Sequence, residues 1–417
     1  MIAVRHTILA WLAIAPVLAA LVLAALDVAA SAQSNPQGNA IGAAQPDAAQ
    51  TSATASRAQE AGIALAQGNP QQAVALYGEA LKDTGLTNER RATLHNDRGV
   101  AYWRAQQHKA AIEEFNRAVT LSPEGAAAYN NRGIVLLALN LVTEAIKDFD
   151  RAIVLTPGYL SAYHNRALAK FQLGNLEGAG LDFTRAIELS PSSAPMSAPP
   201  LAGRGRVRLA QSRPFASVRD LTRAISLDGK DAASYRHRAL AHLANDNTGE
   251  AIEDYNRAIA ADPSKADLYL ARGRAYLMAK NMQAGLNDLS KALEIDPKLA
   301  PALAFRGLAK ARLSQYDEAL ADFSKSVESD PRFVPAYAHR AWTYRQMDQP
   351  ETGLRDIERA LKLEPRHAGP NASVDRTVTH ACGGPRRAAA PDRAPSPQAR
   401  PRRPRTCTRT SRSSRPR

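Results

Sequence analysis

The chain has 417 residues, of which 45% are hydrophobic and only 6% aromatic, a balance that suits close-packed helices joined by many small contacts. Its formal charge of +14 is unevenly placed: residues 368–417 hold twelve arginines, no lysine and two aspartates, or +10, which leaves +4 for everything before them. So balanced a body excludes the broad basic face that grips nucleic acid. Both cysteines, Cys382 and Cys407, fall in that same terminal segment, which excludes thiolate chemistry from the rest and suits an oxidising compartment.

The N-terminus carries the marks of an export signal. Arg5 and His6 form a short basic start, Ile8 to Leu26 is an apolar run broken by Pro16, and Ala30-Ser31-Ala32 supplies a cleavage pattern ahead of Gln33. Residues 1–32 are therefore expected to be removed as a signal peptide, placing the protein in a periplasm or outside the cell. The run is long for such a signal, and the alternative is an uncleaved anchor at an inner membrane, facing the periplasm. Residues 33–53, rich in Ala, Gln, Ser, Pro and Gly and lacking apolar periodicity, read as a disordered linker.

From residue 54 the chain repeats. Pro123, Pro157 and Pro191 are 34 residues apart, as are Pro263, Pro297, Pro331 and Pro365, and the gap between the two sets is two periods plus four. Each unit carries two apolar stripes at helical spacing. In 126–159 these are Tyr129, Gly133 and Leu136, then Ala145, Phe149 and Ala152, with Pro157 as the stop. Such a pair leaves faces that only neighbouring pairs can cover. Period and pattern resemble the tetratricopeptide repeat. Gly99, Tyr102, Ala111, Phe115, Ala118 and Pro123 fill six signature positions in one unit; Gly133, Ala145, Phe149, Ala152 and Pro157 fill five in the next.

The resemblance implies an all-α, right-handed superhelical solenoid over residues 54–367, built from about nine 34-residue helix-turn-helix units. The first, at about 54–87, is looser and is followed by four inserted residues; the others are 92–125, 126–159, 160–193, 198–231, 232–265, 266–299, 300–333 and 334–367. Unit 198–231 is irregular. Pro199, Pro200, Gly203 and Gly205 fall where its first helix should be, and Gly229 replaces the terminal proline. The stretch 191–231 is thus either a worn repeat that still stacks or a hinge.

Charges recur with the period. Arginine holds the seventh position (Arg98, Arg132, Arg166 and so on), a carboxylate the twenty-third (Glu114, Asp148, Asp182) and a base the twenty-sixth (Arg117, Arg151, Arg185). In antiparallel helices, residues equidistant from the turn share a height. Asp148 is therefore expected to face Arg132 or Arg166, with Arg151 one turn away on its own helix. This reads as a structural ladder of Arg132, Asp148, Arg166, Asp182 and their equivalents, which fixes register and contributes about 0–1 kcal/mol per pair.

If the repeated residues are scaffold, specificity falls to the positions that vary. In proteins of the family resembled, the concave groove is lined from the first helix of each unit, at positions 2, 5, 6, 9, 12 and 13. Carried onto this chain, these give Asn96, Asp97, Asn130, Asn131, His164 and Asn165, with Trp103, Leu137 and Phe171 beside them. Stacked asparagines offer both a donor and an acceptor to the backbone of an extended peptide. Later units replace the asparagines with Arg236 and His237, Leu270 and Ala271, Ala304 and Phe305, and Ala338 and His339.

Residues 368–417 contain eight prolines and no Leu, Ile, Met, Phe, Tyr or Trp, so they cannot build a core. They read as a disordered tail, either adhesive to anionic polymers or lipid, or the non-native product of a shifted reading frame. No G-x-S-x-G, phosphate loop, H-E-x-x-H or C-x-x-C occurs. The sequence therefore points to a non-enzymatic exported scaffold with no cofactor or metal, whose partners are proteins or peptides. Small-molecule substrates and nucleic acid are not expected, and a membrane contact would come only through an uncleaved N-terminus or the basic tail. The alternative is a membrane-anchored assembly factor or accessory subunit of an envelope complex.

Overall fold

A computed structural model describes residues 48–191 and 194–364; the signal segment, most of the linker and the arginine-rich tail lie outside the described residues. The described chain is helical throughout, in nine antiparallel pairs. In order these are α1 (Ala48–Ala66) with α2 (Pro70–Ala80), α3 (Asn88–Arg104) with α4 (His108–Leu121), and α5 (Ala126–Ala138) with α6 (Val142–Leu155). There follow α7 (Leu160–Gln172) with α8 (Leu176–Glu188), α9 (Ala198–Ala210) with α10 (Pro214–Leu227), and α11 (Ala232–Ala244) with α12 (Thr248–Ala261). The last three are α13 (Ala266–Met278) with α14 (Met282–Ile295), α15 (Ala300–Arg312) with α16 (Tyr316–Ser329), and α17 (Val334–Gln346) with α18 (Pro350–Leu363). This is an all-α solenoid. Among the described residues no helix is long and apolar enough to cross a membrane.

One boundary differs from expectation. Helix α1 begins at Ala48, inside the segment read as linker. Its alanines favour helix intrinsically, and the weak apolar pattern there hid a propensity that needs no pattern.

Each pair turns in the same way. The second residue after the first helix sits at positive φ in all nine units, from 58° at Ser212 to 79° at Gly68. In the third unit the Asn140 N–H donates to the Leu137 carbonyl and the Leu141 N–H to the Leu136 carbonyl, at 3.0 and 2.9 Å. This satisfies the carbonyls that end the helix. Seven of the nine residues are not glycine, although the left-handed region costs other residues about 1–2 kcal/mol. Packing on either side of the turn holds it there.

Between the paired helices of five units lies one large ring, and Leu221, Leu289 and Ile357 take its place in three others. Phe115, Phe149, Phe183, Tyr255 and Phe323 are each 1% exposed or less. Each faces a small residue on the first helix: a Cβ on Gly133 would stand 2.6 Å from Phe149 Cε1. Burying such a ring stabilises by about 1.5–3 kcal/mol. The flanking alanines, such as Ala145 and Ala152, are fully buried. Where serine replaces them its hydroxyl finds a carbonyl, Ser217 donating to Gly205 O and Ser326 to Ala300 O, both at 2.7 Å.

The irregular unit stacks like the rest. A short 3-10 turn, Pro195–Ser197, takes up the four inserted residues. Pro199 and Pro200 sit in the first turn of α9, where a missing N–H costs nothing, and the helix runs on unbroken to Ala210. Gly203 lies against Phe183, and a Cβ on Gly205 would meet Leu221 Cγ at 2.7 Å. The two glycines are thus demanded by packing. Helix α10 ends at Asp228 with φ −137°, much as α12 ends at Asp262 with φ −143°, although Gly229 follows one and Pro263 the other.

The first helices of successive units touch (α3 with α5, α5 with α7, α7 with α9, α9 with α11, α13 with α15, α15 with α17). They therefore form the inner row of the solenoid, and their side chains make its concave wall.

Candidate functional site

The repeated charges are paired inside their own unit. Arg132 Nε and Nη2 donate to the two oxygens of Asp148 at 2.8 and 2.7 Å. Arg166 binds Asp182 in the same fork at 2.8 and 2.7 Å, and Arg272 binds Asp288 at 2.7 Å on both oxygens. Arg204, Arg238, Arg306 and Arg340 repeat the geometry with Asp220, Asp254, Asp322 and Asp356. Only Glu114 differs, gathering Arg98, His95 and Arg117. Asp148 thus takes Arg132 and not Arg166. The turn within a unit is tight, which sets residues 16 apart side by side.

The link between units is a second bond from the same arginine. Nη1 reaches the twenty-fifth position of the preceding unit: Arg132 to Asn116 at 2.8 Å, Arg166 to Asp150 at 2.7 Å, Arg238 to Thr222 at 3.1 Å, Arg272 to Asn256 at 2.7 Å. Arg151, expected beside Asp148, instead donates to the Pro123 carbonyl at 3.5 Å and lies 6.0 Å from the Tyr129 ring. The second cation at several carboxylates comes from the inner helix, as Lys170 on Asp182 at 2.8 Å and Lys310 on Asp322 at 2.9 Å. Burial alone would raise the Asp322 carboxyl, but bonds from Arg306 and Lys310 hold it below its ordinary value. These carboxylates are almost wholly buried, Asp322 at 3% exposure, so the value expected for exposed pairs is too small. Removing one partner strands a buried charge, at about 3–5 kcal/mol.

The asparagines form a single line of hydrogen bonds from α7 to α3. Asn165 donates to Asn130 at 3.0 Å, Asn130 to Asn131 at 3.4 Å, Asn131 to Asn96 at 2.9 Å and Asn96 to Asp97 at 3.1 Å. The line is partly closed over. Asn130 and Asn165 are 1% and 2% exposed, His164 is 5% and Trp103 is 6%. His164 packs edge-on against Phe183, with ring centroids 5.4 Å apart, and Trp103 against His108 at 4.8 Å. Adjacent inner helices approach closely enough for these side chains to cover one another. The asparagine bonds therefore join repeat to repeat, His164 and Trp103 pack within their own units, and the surface keeps only Asn96, Asp97, Asn131 and Phe171, all partly buried. Burial lifts the Asp97 carboxyl to about 6, against a smaller opposing effect from the Asn96 bond.

Farther along, the same wall changes character. Arg206 on α9, Arg236 on α11 and Arg274 on α13 are partly buried and make no ion pair or hydrogen bond with a described residue. Arg206 and Arg274 instead lie on rings of a neighbouring unit, Phe171 at 5.4 Å and Phe305 at 4.3 Å, as Arg312 lies on Trp342 at 5.0 Å. Burial lowers both Arg206 and Arg274 to about 10, and Arg236 adds its repulsion at Arg206. His339 is lowered to about 4 by burial and then by Arg312 and Arg274. His237 is pushed well below its ordinary value by burial and then by Arg236 and Arg206. The one carboxylate acting on Arg206, Asp231, already caps α11 by accepting from the Ala233 and Ser234 N–H groups at 3.0 Å. The Tyr255 hydroxyl, in the field of Arg274 and Arg236, is buried without a hydrogen-bond partner, as is Nη1 of Arg345.

This stretch was not singled out by sequence reasoning, which noted Arg236 and His237 only as an end to the asparagines. A signal was there: Arg206 and Arg274 share the ninth position of their units, where neither belongs to the ladder. Among the described residues no group of three His, Cys, Asp or Glu is placed to hold a metal.

Comparison with known proteins finds similar folds and a family match. Solved structures similar in fold include a tetratricopeptide repeat protein from Parabacteroides merdae ATCC 43184, 18% identical over 62% of this chain and 99% of its own, with a TM-score of 0.48. Another is pilF of Pseudomonas aeruginosa, 13% identical over 52% of this chain and 98% of its own, TM-score 0.48. A third is YrrB, described as a TPR protein with an unusual peptide-binding site, 22% identical over 48% of this chain and 97% of its own, TM-score 0.37. No curated protein matches the chain in sequence. Tetratricopeptide repeat profiles match residues 59–126, 121–159, 130–194, 203–266 and 238–300, and a further one matches 334–367. With more than half of its length matched, the chain belongs to the tetratricopeptide repeat family.

Proposed function

We propose that this chain is an exported, non-enzymatic scaffold that holds an extended segment of a partner protein along its inner wall. Membership of a family of protein-interaction scaffolds supports the general role. The observation that carries the particular reading is a division of labour. The residues that recur, from Arg132 and Asp148 to Arg340 and Asp356, are bonded to one another inside the stack. Those that vary gather on the inner helices, where polar groups remain at the surface. An extended peptide laid there would find amides at Asn96 and Asn131 and, farther along, the guanidiniums that lie on Phe171, Phe305 and Trp342.

Export rests on the Arg5-to-Ala32 pattern. The length of the Ile8–Leu26 run favours a second reading, in which the same scaffold stays anchored and serves an envelope complex as an assembly factor. Mass spectrometry of the N-terminus separates the two: a start at Gln33 in a soluble fraction supports export, and an intact Met1 segment in the membrane fraction supports the anchor. For the scaffold itself, the test is affinity capture from cell envelope with full-length bait, wild type beside an Asn96→Ala, Asn131→Ala variant. Loss of captured proteins in the variant is expected. An unchanged set of partners would remove the asparagine surface from the site.

A further inference from the structure

Along α9, α11 and α13 the inner wall holds positive charge that the scaffold does not neutralise. Eight other arginines on the inner helices, the ladder from Arg98 on α3 to Arg340 on α17, are each bonded to a carboxylate. Arg206, Arg236 and Arg274 are not. We propose that these three arginines form a binding site for an extended acidic peptide segment, whose Asp or Glu carboxylates pair with them one unit at a time. The proposal rests on the reading that the inner wall receives a peptide, and it names the chemistry of that peptide.

Three features fit that ligand. Arg206 and Arg274 lie on the rings of Phe171 and Phe305, at 5.4 and 4.3 Å, a contact that uses no hydrogen bond and so leaves their N–H donors for a planar carboxylate. The Tyr255 hydroxyl is fully buried, has no partner, and lies in the field of Arg236 and Arg274. A buried hydroxyl without a bond is uncommon and is satisfied when an acceptor enters beside it. The spacing also suits an extended chain. Neighbouring packed helices lie about 8–10 Å apart, and a strand rises about 3.3 Å per residue, so acidic residues roughly three apart would meet successive units.

A nucleic acid fits less well. The rings on which bases would stack are already covered by guanidiniums at 4.3 to 5.4 Å. The first 367 residues also carry only +4, with no wider basic face to follow a phosphate backbone.

The test is fluorescence anisotropy on the full-length chain with a rhodamine-labelled Glu-Ala-Ser repeat peptide and its Gln-Ala-Ser counterpart. The variants are Arg236→Gln with Arg274→Gln, the same pair to Lys, and a charge-matched surface control, Arg359→Gln with Lys362→Gln. The glutamate peptide is expected to bind about tenfold more tightly than the glutamine peptide, and to lose about tenfold in the Gln pair and less in the Lys pair. The control should bind like wild type. Circular dichroism and the urea midpoint verify folding, and the Lys pair keeps the test open if the Gln pair is unstable. Undiminished binding by the Gln pair would place the glutamate peptide elsewhere, on the basic 368–417 segment for instance, and overturn the proposal. So would equal loss in the control, or a single-stranded oligonucleotide that binds as tightly and depends on the same arginines. If neither peptide is preferred while capture still depends on Asn96 and Asn131, the peptide-scaffold reading survives and the acidic specificity fails.

Discussion

Asn130 and Arg236 occupy the same place in their repeats, the fifth residue of an inner helix, and they have opposite fates. Asn130 gives one hydrogen bond and takes another from the next unit, and it is 1% exposed. Arg236 has Arg206 as a neighbour in charge, cannot bond to it, and stays partly open. An amide is its own complement, so a row of amides closes on itself. Arginines are not, and a row of them waits for an anion. The scaffold beneath is identical in both stretches, so the inner wall can change its chemistry without changing the fold.

The largest effects test that common scaffold. Arg132→Ala in the asparagine stretch and Arg272→Ala in the arginine stretch each strand a carboxylate 9% exposed at its side chain. Each is expected to destabilise by about 3 kcal/mol, read as the urea unfolding midpoint. A large difference between the two would show that the ladder does not serve both stretches alike.

The paired substitution at the fifth position separates them. Asn130→Ala leaves the Asn165 amide buried without its acceptor and should cost about 1–3 kcal/mol. Arg236→Ala removes no hydrogen bond and should change stability by less than about 0.5 kcal/mol. Equal costs would mean that Arg236 is as much a part of the stack as Asn130 is.

The smallest effect is in the pH dependence, where Asp97 and His339 should act in opposite directions. His339 is held near 4 against an ordinary 6.5. Between those values the unfolded chain takes up a proton that the folded chain refuses, so stability falls as pH drops from 6.5 towards 4. Asp97 is raised from 3.8 to about 6. There the folded chain keeps a proton that the unfolded chain has lost, so its contribution falls as pH rises from 4 to 6. Urea midpoints from pH 4 to 7 should show His339→Leu weakening the acid loss and Asp97→Asn removing the opposing slope. If both variants track wild type, neither group sits in the environment described.

What recurs was legible in the sequence, and what depends on a single neighbour was not. The period, the units, and Phe149 packed against Gly133 followed from spacing. So did the existence of arginine–carboxylate pairs. The choice of Arg132 over Arg166 by Asp148 did not, because spacings of 16 and 18 across two turns leave both open until the tightness of the turn is known. The role of Asn116 and Asp150 as bridges between units was missed because that position mixes Asn, Asp, Thr and Ser. The asparagines lie on the inner helices, and their mutual bonding was hidden because it depends on how closely those helices approach. Arg206 and Arg274 passed unremarked because the ladder had taught the eye to treat arginine as scaffold.

Hydrogen–deuterium exchange of the full-length chain, with and without the Glu-Ala-Ser repeat peptide, tests most directly the claim that one wall has two chemistries. Added protection is expected in α9, α11 and α13, with little change in α3 to α7. Protection centred on α3 to α7, or none on the inner helices, would contradict it.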